Sequence, residues 1–207
     1  MTATVVEIHP RDPQPRLVAQ VVEVLRGGGL IAYPTDSCYA LGATIGSHSA
    51  VDRIRAIRHL DERHDFTLLC RDFSDLGHVV EVSNAVFRSV KAATPGPYTF
   101  VLPATREVPR RLQHPKKRTV GVRIPAHPVA QAILAALGEP MLTSTLLLPG
   151  DDDTPTEAWQ VQERIGQDVD LVVDAGPCGI GPTTVVDLTG GEPVVVRVGA
   201  GDPARFE

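Results

Sequence analysis

Short β-forming runs alternate with segments of helical period along the whole of this 207-residue chain, which restricts it to folds where helices pack on a sheet. After Asp12 the residues Leu17, Val21, Val24 and Leu25 fall on one helical face, with Asp12 as the expected cap, Pro13 in the first turn and Gly27-Gly28-Gly29 as the stop. Residues 30–33 and 39–45 read as strands on either side of the loop Pro34-Thr35-Asp36-Ser37-Cys38. Ser47 is placed to cap a helix with Val51, Ile54, Ile57 and Leu60 on its apolar side. Further strands are expected at 66–70, 98–102, 120–124, 141–148, 171–173, 184–188 and 194–198. Helices are expected at 83–93, at 129–137 behind Pro128, and around Trp159 and Val161. Successive β-runs without a helix between them, as at 184–198, allow antiparallel pairs. The expected fold is therefore α/β, a twisted mixed sheet with parallel and antiparallel strands flanked by helices, in one domain over residues 1–207.

Composition limits the function classes. Hydrophobic residues make up 43% and charged residues 22%, which fits a globular core and excludes a mainly disordered chain. No run of eighteen apolar residues occurs and the first residues lack a short apolar signal segment, so no membrane partner and no secretion are expected. Cys38, Cys70 and Cys178 are odd in number, widely spaced and free of any Cys-x-x-Cys pair, which favours a reducing, cytoplasmic location. The seven histidines are scattered, with His59 and His64 five apart, so no metal site is expected. The net charge of −5 argues against a surface coated in nucleic acid, yet Arg106, Arg110, Arg111, Lys116, Lys117, Arg118 and Arg123 stand against the single acid Glu107.

The common nucleotide and hydrolase motifs are missing: no Gly-x-x-x-x-Gly-Lys-Ser/Thr loop, no Gly-x-Gly-x-x-Gly after the first expected strand and no Gly-x-Ser-x-Gly elbow. What remains is a set of polar residues at the ends of apolar runs: Thr35, Tyr39, Thr99, Arg123, Ser144, Thr145, Thr183, Thr184 and Arg197. Leaving such groups buried without a partner costs about 1–3 kcal/mol each, and a polyanionic ligand is one source of partners.

Five ordered motifs carry a resemblance. They are the string from Gly28-Gly29-Leu30-Ile31-Ala32-Tyr33-Pro34-Thr35-Asp36 to Leu41-Gly42; Pro95-Gly96-Pro97-Tyr98-Thr99; Val122-Arg123-Ile124-Pro125 with His127-Pro128; Gly138-Glu139-Pro140 to Thr143-Ser144-Thr145; and Pro182-Thr183-Thr184-Val185-Val186-Asp187 with Arg197 and Gly199. Across about residues 15 to 200 the chain resembles the YrdC/YciO-type threonylcarbamoyl-AMP synthase-like family. The resemblance implies a YrdC-like fold with a large concave, positive cavity. It also implies a reaction joining ATP, L-threonine and bicarbonate into threonylcarbamoyl-AMP and pyrophosphate, with magnesium sharing the phosphate charge and no tightly bound organic cofactor. That reaction is the first step of a tRNA adenosine modification. By matching motif positions it implies catalytic roles for Thr35, Arg58 and Arg123 and nucleotide contacts from Thr99, Arg123, Ser144, Thr145, Thr184 and Arg197. Threonine contacts fall to Thr35, Tyr39, Arg58 and His64. Where the synthases carry Lys-x-Arg this chain has Arg58 and Leu60, and where they carry Ser-x-Asn it has Thr145 and Leu147; both are features of the YciO branch.

Plainer readings stand beside these. Thr35 and Tyr39 also suit a turn, Arg58 a solvated helix face, and Ser144 and Thr145 bonds to neighbouring backbone. Cys38 has no adjacent histidine in sequence to activate it and reads as a small buried residue. The basic surface formed by Arg110, Arg111, Lys116, Lys117 and Arg118 is either a solvated loop or a contact for the phosphates of structured RNA, tRNA or rRNA. A non-catalytic nucleotide- and RNA-binding protein and a small-molecule phosphate enzyme therefore remain alternatives to the synthase.

Overall fold

The computed structural model describes residues 2–61, 66–179, 181–190 and 192–206. Ten strands form one sheet: β1 (Thr4–Glu7), β2 (Ile31–Pro34), β3 (Tyr39–Thr44), β4 (Thr67–Leu69), β5 (Tyr98–Pro103), β6 (Thr119–Arg123), β7 (Met141–Thr145), β8 (Leu171–Asp174), β9 (Thr184–Asp187) and β10 (Val194–Arg197). Their order is β1-β8-β2-β3-β7-β4-β6-β5-β9-β10. β8 pairs parallel with β1 and β2, β4 with β6, and β5 with β9, while β2–β3, β3–β7, β4–β7, β5–β6 and β9–β10 are antiparallel. The sheet is mixed, as the uneven spacing of β-runs and helical segments implies.

Among the described residues six α-helices flank it: α1 (Pro15–Arg26), α2 (His48–Arg58), α3 (Phe73–Val79), α4 (Asn84–Ala93), α5 (Pro128–Leu137) and α6 (Ala158–Ile165). Several ends follow local chemistry. The hydroxyl of Ser47 accepts from the Ala50 amide, and that of Ser83 from the Val86 amide, satisfying donors that have no intrahelical partner. Gly138 closes α5 at φ 80°, a left-handed conformation that costs a glycine little. No helix among the described residues is long and apolar enough to cross a membrane.

Several boundaries differ from the sequence reading. Asp12 does not cap α1; the helix starts at Pro15, whose missing amide proton suits a first turn, and the Asp12 amide instead donates to His9 Nδ1 at 3.0 Å. β7 stops at Thr145 and not at Leu148, because the Leu147 amide folds back onto the Thr145 carbonyl. Two elements were not anticipated. β1 carries a single inward residue, Val6, too little pattern to register as a strand. α3 does have a signal: Asp72 Oδ1 accepts from the amides of Ser74 and Asp75, and Leu76 and Val79 face the core three residues apart.

Two apolar clusters cover the sheet. On one side, α1 and α5 pack over Ile31, Tyr33, Leu69, Met141, Leu171 and Val173. On the other, Tyr39, Leu41, Leu68, Phe100, Val120, Val122, Leu142 and Val186 pack with α2, α4 and α6. Alternation along a strand decides which side each residue joins. Along β4, β5, β6, β7 and β9 the residues that face away from the second cluster and are not covered by α1 and α5 include Thr67, Thr99 and Val101, Gly121 and Arg123, Thr143 and Thr145, and Val185. These are the residues that floor a recess.

Candidate functional site

The recess is lined by Thr35, Cys38, Ala40, Arg58, Thr67, Thr99, Val101, Gly121, Arg123, Thr143, Ser144, Thr145, Thr183, Val185, Val196 and Arg197. Eight positions picked out from sequence thus converge from distant parts of the chain: Thr35, Arg58, Thr99, Arg123, Ser144, Thr145, Thr183 and Arg197. Its volume is about 210 Å³. Small-molecule sites usually hold roughly 300–1,000 Å³, so the large cavity expected is not shown at this volume. Gly121 keeps the floor low: a β-carbon there would sit 2.7 Å from Thr67 Oγ1 and 3.1 Å from Thr99 Cγ2.

Two guanidiniums define the charge. Arg58 Nη1 donates to Ser144 Oγ at 2.9 Å and its Nε to the Leu147 carbonyl at 3.1 Å. Arg197 donates through Nε and Nη2 to the Thr183 carbonyl at 3.2 and 2.9 Å, and Nη2 also reaches Thr183 Oγ1 at 3.3 Å. All these partners are neutral oxygens, and among the described residues neither arginine is ion-paired with a carboxylate. Desolvation, followed by the positive charge of Arg197, lowers the pKa of Arg58; desolvation lowers that of Arg197. The shift of β10 register between Val195 and Arg197 goes with two successive residues, Val196 and Arg197, both lining the recess.

Arg123 differs. Its Nη2 donates to Asp36 Oδ1 at 2.6 Å and its Nη1 to Ser37 Oγ at 3.0 Å, with 6% of the arginine side chain and 15% of the aspartate exposed. Nearly all of this pair is out of water, so its charges are committed to each other. The loop it holds is organised by Thr35, whose hydroxyl donates to the Cys38 carbonyl at 2.7 Å and accepts from the amides of Ser37 and Cys38, both at 3.2 Å. Hydroxyls continue along the floor: Thr99 Oγ1 lies 2.7 Å from Thr183 Oγ1, and Tyr33 Oη lies 2.7 Å from Thr143 Oγ1. Burial pushes the Cys38 thiol up, which agrees with its reading as a small buried residue.

Three expected site residues stand elsewhere. Tyr39 points to the core side, where its hydroxyl donates to the Val173 carbonyl at 3.2 Å and burial pushes its pKa far up. Thr184 shares the strand face of buried Val186; its hydroxyl donates to the Gly201 carbonyl at 2.5 Å and accepts from the Gly199 amide at 2.9 Å, clasping the chain end. Arg111 is half-buried, with Nη2 on the Ile45 carbonyl at 2.6 Å, so it fastens the loop from within and is not part of an open basic surface. His64, with Arg63, lies outside the described residues. Thr67, Thr143 and Cys38 line the recess without having been assigned to it, and Thr183 was picked out as a polar residue but given no ligand contact. For Thr183 the signal was available, because residue 183 has the parity of Val185 and residue 184 that of Val186. Among the described residues no group of three or more His, Cys, Asp or Glu side chains is placed to hold a metal ion.

A Sua5/YciO/YrdC family model, described as telomere recombination, matches residues 23–199. An uncharacterized protein YciO of Escherichia coli strain K12 is 51% identical over 199 residues, 96% of this chain and 97% of that one. The crystal structure of E. coli YciO superposes with a TM-score of 0.96 at 50% identity, covering 99% of this chain and all of the other. A threonylcarbamoyl-AMP synthase of Chromobacterium violaceum is 33% identical over 187 residues, 88% of this chain and 94% of its own. The crystal structure of P. abyssi Sua5 complexed with L-threonine has a TM-score of 0.87 at 28% identity, over 95% of this chain and 58% of that one. With its motifs, overall fold and relatives in agreement, the chain belongs to the Sua5/YciO/YrdC family.

Proposed function

We propose that the protein is a cytoplasmic enzyme of the threonylcarbamoyl-AMP synthase class, acting on ATP, L-threonine and bicarbonate. One observation carries the reading: Arg58 and Arg197, without carboxylate partners among the described residues, stand in a recess whose other lining, apart from the Asp36-paired Arg123, is hydroxyls and small groups. Unpaired guanidiniums in a partly desolvated site are strong partners for carboxylate or phosphoryl oxygens. The similarity to a synthase and to a threonine-bound Sua5 supports the same direction.

The chemistry asks for little covalent help. The threonine amine and bicarbonate condense to a carbamate with loss of water; a carbamate oxygen then attacks the α-phosphorus of ATP and pyrophosphate leaves. Negative charge gathers on the phosphoryl oxygens, where Arg58 and Arg197 offset it, and Ser144, Thr145, Thr99 and Thr183 offer neutral hydrogen bonds. On this reading Thr35 and Arg58, both lining the recess, contact the amino acid. Val101, Val185 and Val196 give the carbamate a wall poor in water. Magnesium enters as the counter-ion of ATP; among the described residues no carboxylate lines the recess.

The test is pyrophosphate release from ATP with threonine and bicarbonate supplied singly and together. Release that needs all three and falls in Arg58→Gln supports the reading; no release above the rate without protein sinks it. A second reading rests on the exposed tip carrying Arg110, Lys116, Lys117 and Arg118, none ion-paired among the described residues. On that reading the tip binds the phosphates of a structured RNA, tRNA or rRNA. Filter binding to such an RNA should then weaken steeply with salt, and a salt-independent signal would remove it.

A further inference from the structure

The three arginines of the recess are not equivalent. Arg58 and Arg197 spend their donors on neutral oxygens. Arg123, 5% exposed, gives one nitrogen to Asp36 at 2.6 Å and another to Ser37 at 3.0 Å. Two further atoms of this pair, Arg123 Nε and Asp36 Oδ2, are buried with no hydrogen-bond partner. Arg123 is among the recess-lining residues and Asp36 is not, so the pair borders the recess through its guanidinium.

We propose that Asp36 keeps Arg123 electrically silent toward the recess, so that two working cations, Arg58 and Arg197, hold a ligand anion and Arg123 is a positioning residue for the Thr35–Cys38 loop. This rests on the anion-binding reading above and deepens it. Two cations in about 210 Å³ match one carboxylate or one phosphoryl group. The remaining charge of a nucleoside triphosphate is then carried by its own magnesium and by solvent at the mouth. The loop's hydrogen bonds around Thr35 show what Arg123 holds in place: through Ser37 Oγ it fixes a turn that presents both the Thr35 and the Cys38 side chains to the recess.

The experiment uses inorganic phosphate and AMP as probes. In the unmodified protein, titration is followed by the arginine side-chain Nε–H resonances, assigned with Arg58→Gln, Arg197→Gln and Arg123→Lys. The Arg58 and Arg197 signals should shift with phosphate while that of Arg123 stays. Calorimetry of variants gives the second readout. Arg58→Gln and Arg197→Gln should each weaken AMP about tenfold or more. Asp36→Asn, which unmasks the third guanidinium, should tighten phosphate several-fold. The double variant Asp36→Asn/Arg123→Gln removes both charges together and should bind AMP within about threefold of the parent. It also keeps the question open to decision if Asp36→Asn alone fails to fold, since it leaves no buried unpaired charge. An Arg123 signal that moves with the others, or a double variant as weak as Arg58→Gln, overturns this assignment and leaves the synthase reading standing. Failure of the unmodified protein to bind either probe overturns both.

Discussion

One face of the sheet carries two regions built by the same alternation and put to opposite uses. Under α1 and α5 the outward positions are Ile31, Tyr33, Leu69, Met141 and Val173, all buried against helices. Farther along, the corresponding positions are Thr67, Thr99, Gly121, Arg123, Thr143 and Thr145, and a recess takes the place of a helix layer. Stability is concentrated where apolar area is removed from water, and binding capacity where polar groups are left with bonding capacity to spare. Tyr33 joins the two, its ring among the apolar residues and its hydroxyl on Thr143.

Three substitutions probe that division. The largest effect on folding is expected from Ile133→Ala in α5, a fully buried side chain that should cost about 2–5 kcal/mol in urea unfolding. Its threonine-dependent pyrophosphate release per folded molecule should be retained. Next comes Arg58→Gln, expected to leave urea unfolding within about 1 kcal/mol of the parent while lowering pyrophosphate release by about 1.5–3 kcal/mol in activation free energy, the scale of a hydrogen bond to a charged group. Equal loss of folding and activity there would erase the contrast between the two regions. The smallest is Thr99→Val. It removes the 2.7 Å bond to Thr183 Oγ1 but leaves that hydroxyl within 3.3 Å of Arg197, so a destabilisation of about 0.5–1.5 kcal/mol is expected by urea unfolding.

Much of this was readable in the chain itself, for reasons that residues make plain. Ser47, Ser83 and the glycines after α1 and α5 mark helix ends through local bonds that need no tertiary partner, and they fall where expected. Pro15 in place of Pro13 shows the limit: a run of alternative prolines leaves a start ambiguous by two residues until packing chooses. Thr35, Thr99, Arg123, Ser144, Thr145, Thr183 and Arg197 were legible because hydroxyls and arginines at apolar runs are costly unless employed, whereas Arg58, on a helix, entered only through the family motif. Tyr39 and Thr184 misled because motif membership carries no facing, whereas strand parity does. The pairing of Arg123 with Asp36 was out of reach: the two lie 87 positions apart and meet only through the sheet. The inward turn of Arg111 onto Ile45 was hidden for the same reason.

The central claim is that the recess joins a threonyl carbamate to the adenylate of ATP. Its most direct test is mass spectrometry of the product formed from ATP, L-threonine and carbon-13 bicarbonate by the unmodified protein. The account predicts a single adduct containing AMP and threonine, heavier by one mass unit with the labelled bicarbonate and accompanied by equimolar pyrophosphate. AMP or ADP alone, with threonine and label unchanged, would contradict it.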